Sequence, residues 1–125
     1  MTIFTPGLIT AGVLFILSLA SGVWLSYLGK PINIFIVTIH KLISLATVLF
    51  TSLAIYHLSR AAAISSFALS AMVVTGLLFL FLFITGALLS AGKPVNRVIS
   101  ATHRIAPLLS VISTAVTIFL LAGGM

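Results

Sequence analysis

His40 and His103 are the residues whose type and spacing could do chemistry. Each is followed by a cation, as His40-Lys41 and His103-Arg104, and the two pairs stand 63 positions apart. Each lies seven residues past an asparagine, Asn33 or Asn96, that opens an apolar run. On a helix rising 1.5 Å per residue, that places both imidazoles about 10 Å inside the run. An ionisable side chain at such depth in an apolar segment is costly and reads first as functional. The plainer reading is that each histidine donates to a neighbouring hydroxyl or carbonyl and glues helices together. Duplication at equal depth favours the sharper one. Neutral imidazole is a strong axial ligand for haem iron, so the pair predicts a metal and cofactor site at His40 and His103. Zinc is disfavoured, because no Cys, Asp or Glu exists to complete a four-coordinate site.

The absences decide much of the rest. With neither Asp nor Glu among the 125 residues, carboxylate acid–base catalysis and carboxylate-ligated metals are excluded. So are salt bridges between side chains. Without cysteine, thiol chemistry and disulfides are excluded too. The chain is 62% hydrophobic and 5% charged, with a mean hydropathy of +1.42. A soluble domain needs roughly 25% charged residues, so the expected environment is a lipid bilayer. The formal charge of +6 then reads as membrane-surface charge rather than a nucleic-acid interface. At roughly 20 apolar residues per spanning helix, the length accommodates about four spans and no soluble domain.

Those spans fall at about 8–28, 33–58, 64–90 and 97–122. They are too long and too uniformly apolar for barrel strands. Gly29-Lys30-Pro31 and Gly92-Lys93-Pro94 stop the first and third, and Asn33 and Asn96 are available as caps for the next helices. The boundary at Ser59-Arg60-Ala61-Ala62-Ala63 is weaker. No Lys or Arg precedes the first run, so it reads as a retained helix rather than a cleaved signal.

Gly29-Lys30-Pro31-Ile32-Asn33 recurs as Gly92-Lys93-Pro94-Val95-Asn96 in the register of the histidine pair. Shifted by one residue, Gly12, Gly22 and Leu25-Ser26 recur as Gly76, Gly86 and Leu89-Ser90. The chain is therefore expected to be a single membrane domain, 1–125, of the all-α class. It would be an integral membrane four-helix bundle of two parallel-repeated helical hairpins, about 8–60 and about 64–123. Two spans per repeat give both halves the same orientation. Lys30, Lys93 and Arg97 lie on one side against Arg60 on the other, which predicts cytoplasmic Gly-Lys-Pro turns and both termini outside.

Run sequentially round a bundle, helices two and four would stand on the diagonal, about 14 Å apart, a separation that suits two imidazoles with a flat macrocycle between them. Lys41 and Arg104 would pair with the haem propionates, or else snorkel to lipid phosphate. Gly12, Gly22, Gly76 and Gly86 would admit the porphyrin, or else make ordinary small-residue contacts between membrane helices. Hydroxyls near the two histidine faces (Ser44, Thr47 and Thr51; Ser100, Ser110 and Thr114) or backbone carbonyls would orient the ring nitrogens. Pro107 withholds an N–H from the carbonyl of His103 and should bend helix four there. His57 has no repeat counterpart, Leu120 standing in its place. With Tyr56 and Arg60 it reads as interfacial, so one haem is expected, not two. Trp24 and Tyr27 read as aromatic-belt anchors.

This layout resembles the small four-helix membrane cytochromes b, the class of bacterial cytochrome b561 and superoxide oxidase. The likeness lies in four spans, deep histidines on facing helices, helix glycines and cations beside the ligands. The chain is also similar to small bacterial membrane proteins with Gly-x-Pro turns followed by a His-Lys or His-Arg pair. The cytochrome resemblance implies one haem b, electron transfer in the cell (inner) membrane, and a quinone or redox partner protein. It leaves open a quinol-linked oxidoreductase component and a homo-oligomer or larger complex. The competing class is a non-redox membrane subunit or small transporter or channel component, with the histidines as packing hydrogen bonders.

Overall fold

A computed structural model describes residues 6–29, 31–61, 63–91 and 94–122. They form four helices: α1, Pro6–Leu28; α2, Ile34–Ala61; α3, Ser66–Ser90; and α4, Arg97–Leu121. The fold is all-α, and among the described residues there is no strand. Lys30, Gly92 and Lys93 of the two Gly-Lys-Pro turns lie outside the described residues, as do residues 1–5, Ala62 and residues 123–125.

The helix boundaries follow from local chemistry. Asn33 caps α2, its side-chain oxygen accepting from the Ile36 N–H at 3.2 Å. Asn96 does the same for α4 through the Val98 N–H at 2.8 Å. Both were legible as caps, since asparagine offers an acceptor to N–H groups that a first turn leaves unpaired. Ser65 caps α3 by accepting from the Ala68 N–H at 3.1 Å. Gly29 ends α1 at φ 69°, a left-handed conformation natural to glycine. Its N–H donates to the Leu25 carbonyl at 3.2 Å. The second helix runs three residues beyond the expected end, to Ala61, because nothing in Ser59-Arg60-Ala61 breaks a helix.

All four helices are long and apolar enough to cross a membrane, over stretches of 22, 27, 25 and 25 residues. Their outward faces carry large apolar side chains in the open, such as Ile16 at 67% and Phe67 at 81% exposure. Most buried positions are small or hydroxylated instead, with Ile36, Leu58, Phe79 and Leu121 the large apolar exceptions. In lipid, burying a leucine gains little over leaving it in acyl chains, so close packing of small residues and hydrogen bonds between helices hold such structures together.

The chain divides into two compact units, Met1–His57 and Leu58–Met125. In the first, Ser18 Oγ of α1 meets Ser44 Oγ of α2 at 2.8 Å. Ala11, Ser21, Thr47 and Thr51 are among its buried residues. In the second, α3 buries Ala68, Thr75, Phe79 and Thr85, while α4 buries Ala106, Ser110, Thr114, Thr117 and Leu121. At their centre, Thr75 Oγ1 lies 2.6 Å from Ser113 Oγ and 3.2 Å from Thr117 Oγ1. Helix α4 continues through Pro107 without interruption from Arg97 to Leu121.

Candidate functional site

Within the first unit, the imidazole of His40 reaches from α2 to α1. Its Nδ1 lies 2.8 Å from Ser21 Oγ. Gly22, the next residue, leaves room for the ring, because a Cβ there would stand only 3.1 Å from His40 Cε1. Ser21 is itself buried, and its hydroxyl also donates to the Ser18 carbonyl at 3.0 Å.

The second unit repeats the arrangement with one substitution of hydroxyl. The Nδ1 of His103, on α4, lies 2.7 Å from Thr85 Oγ1 on α3. A Cβ at Gly86 would stand 3.2 Å from His103 Cε1. Thr85 is buried, and its hydroxyl donates back along its own helix to the Phe81 carbonyl at 2.9 Å and the Leu82 carbonyl at 3.2 Å. Each hairpin thus holds one half-buried histidine in the same three-part seat: a hydroxyl on Nδ1, a glycine under Cε1, and a facing helix that supplies both.

The glycines separate into two kinds. Gly22 and Gly86 carry an imidazole, whereas a Cβ at Gly12 or Gly76 would meet nothing within 4 Å. Lys41 and Arg104 are exposed, as expected for side chains turned about 100° from the histidine before them.

The hydroxyls that hold the rings differ from those expected on the histidines' own helices. Ser44 bonds Ser18, Thr47 donates to the Ile43 carbonyl at 2.7 Å, and Ser110 donates to the Pro107 carbonyl at 2.8 Å. Thr51 and Thr114 are buried with no hydrogen-bond partner for their hydroxyls. The holding residues, Ser21 and Thr85, carried a signal nonetheless. Ser21-Gly22 recurs as Thr85-Gly86, 64 positions on, in the register that relates the other glycines.

His57 takes no part in this seat. It is exposed near the far end of α2, with Tyr56 edge-on to it at 6.0 Å and 65°.

Two-point seating suits a metal-ligand histidine, which generally gives one ring N–H to a protein acceptor and offers the other nitrogen to the metal. It suits an interhelical lock as well, because the same bond ties two helices. The chain matches no family model, and no curated protein or solved structure is detectably similar to it.

Proposed function

We propose that the chain is a membrane cytochrome of the b type in which one haem takes His40 and His103 as its two axial ligands. The observation that carries this reading is the duplicated seat. Two deep histidines, one per hairpin, are each held through Nδ1 by a hydroxyl of the preceding helix and bedded on a glycine. The donor set fits the group, since haem iron accepts two neutral imidazoles and needs no acidic ligand. The iron would supply reversible one-electron transfer. A quinone or a redox partner protein is the electron partner, and the setting is the cell (inner) membrane. Its Gly-Lys-Pro turns face the cytoplasm and both termini lie outside. Lys41 and Arg104, one residue beyond the ligands, are the cations nearest to hand for the propionates of a chain with no carboxylate side chains.

The same bonds favour a second reading, in which each histidine only locks its hairpin and the chain is a non-redox membrane subunit or a small transporter or channel component. Colour separates the two. The full chain, expressed in a haem-competent host and purified in detergent, is expected to give sharp α and β bands on dithionite reduction. His40→Ala and His103→Ala should each abolish them, and His57→Ala should not. A colourless, folded protein that takes up no added haemin would sink the cytochrome reading and leave the lock.

A further inference from the structure

We infer that Ser21 and Thr85 are positioning residues that hold His40 and His103 as Nδ1–H tautomers, so that Nε2 of each ring is the nitrogen that coordinates. The assignment comes from counting protons. A serine hydroxyl has one, and a carbonyl can only accept. Ser21 Oγ makes both of its contacts at once only when its one proton goes to the Ser18 carbonyl at 3.0 Å, which leaves Nδ1 of His40 to donate at 2.8 Å. Thr85 reaches the same state. Its proton is shared between the Phe81 and Leu82 carbonyls, and its 2.7 Å contact with His103 is completed by a proton on Nδ1. In a neutral imidazole with Nδ1 protonated, Nε2 carries the lone pair.

The glycines fix the remaining freedom of the ring. A ring pinned at one nitrogen can still swing about that bond. Cε1, the carbon between the two nitrogens, lies against Gly22 in one hairpin and Gly86 in the other. The hydroxyl therefore sets which nitrogen is protonated, and the glycine sets how close the ring lies to the facing helix. A hydroxyl that accepts from Nδ1–H also raises the electron density at Nε2 and strengthens it as a ligand. Two different hydroxyl residues hold equivalent places, Ser21 and Thr85. What they share is a proton already given to their own helix backbone.

The tautomer stands on these bonds alone, whereas its use in coordination rests on the haem reading. The experiment keeps the two apart. The full chain, labelled with 15N at the histidine rings and prepared in detergent without haem, is examined by two-bond 15N–1H correlation. Variants at each histidine assign the signals. Two of the three histidines should show a protonated Nδ1 and a bare Nε2. Ser21→Ala should move His40 to the Nε2–H form or to a mixture, and Thr85→Val should do the same for His103. Ser21→Thr and Thr85→Ser should restore the original pattern. Ser18→Ala breaks the link to Ser44 but keeps the carbonyl that Ser21 uses, so it should leave the pattern unchanged. Wild-type rings protonated at Nε2, or a pattern indifferent to Ser21→Ala and Thr85→Val, would overturn the assignment. The coordinating role is read on the same variants with haem bound. Ser21→Ala and Thr85→Val should weaken haem binding about 10–100-fold and raise the midpoint potential, while the Ser–Thr exchanges should do neither. Unchanged affinity and potential would remove the coordinating role. A colourless chain with Nδ1–H rings would sink the haem reading and spare the tautomer.

Discussion

A single carbon atom decides whether the two imidazoles can sit where they do. The Cβ of an alanine at position 22 would come within 3.1 Å of His40 Cε1, and one at position 86 within 3.2 Å of His103 Cε1. Both are closer than carbon atoms ordinarily pack, so each ring must retreat and strain its bond to Ser21 or Thr85. The expected cost is about 0.5–1.5 kcal/mol, that of a side chain pushed off its rotamer. Gly12→Ala and Gly76→Ala introduce a methyl that meets nothing within 4 Å and should gain the roughly 0.5–1 kcal/mol that alanine has over glycine inside a helix, a gain that the clash at 22 and 86 offsets. Thermal unfolding in detergent, with the histidine-ring NMR pattern beside it, checks this. Equal behaviour of all four variants would show that the imidazoles do not explain Gly22 and Gly86. The histidines themselves were legible in the sequence, because a deep polar residue repeated in register is hard to explain otherwise. Ser21 and Thr85 are harder to read from the sequence, for a physical reason. Helical periodicity ranks neighbours along one helix, whereas these two act across a helix pair. Only the recurrence of Ser21-Gly22 as Thr85-Gly86 could have pointed to them.

Along the helices, the threonines sort by where their hydroxyl proton goes. Thr47, Thr75, Thr85 and Thr117 each donate to the carbonyl four residues back, the usual outlet for a helical threonine. Thr51 and Thr114 do not, and both are buried. They are equivalent in the repeat, each eleven residues after its histidine. A buried hydroxyl without a partner costs about 1–3 kcal/mol. Thr51→Val and Thr114→Val should therefore leave stability unchanged or raise it. Thr75→Val should behave oppositely, because Thr75 joins α3 to both Ser113 and Thr117. Interhelical hydrogen bonds in membranes are worth roughly 0.5–2 kcal/mol, and a loss of that order is expected in detergent unfolding. Destabilisation by Thr51→Val would instead reveal a bound partner for that hydroxyl. The helices as such were easy to read: length, apolarity and the Asn33 and Asn96 caps placed three of the four ends that matter to the histidines within a residue or two. The far end of α2 was not, since Ser59-Arg60-Ala61 neither favours nor forbids another turn.

At the scale of the molecule, the charge is one-sided. Six cations and no acidic side chain give +6, so no cation can be neutralised by a side-chain carboxylate of the chain itself. Among the described residues Lys41, Arg60, Arg97 and Arg104 are all exposed. Arg97 and Arg104 lie seven residues apart on α4, hence on one face, and Arg104 is two turns inside the helix. Side chains lean towards the helix N-terminus, so its guanidinium tilts back towards the level of Arg97 and the membrane surface. In an anionic leaflet each such charge gains about 1 kcal/mol near the surface, and in a neutral micelle it gains nothing. Anionic phospholipid added to the purified protein should therefore raise its unfolding temperature more than the same amount of zwitterionic lipid. The difference should shrink as salt screens it. Arg97→Gln with Arg104→Gln should remove part of that difference while leaving stability in neutral detergent nearly unchanged. If both lipids stabilise equally at low salt, acyl-chain packing rather than charge anchors this end of α4.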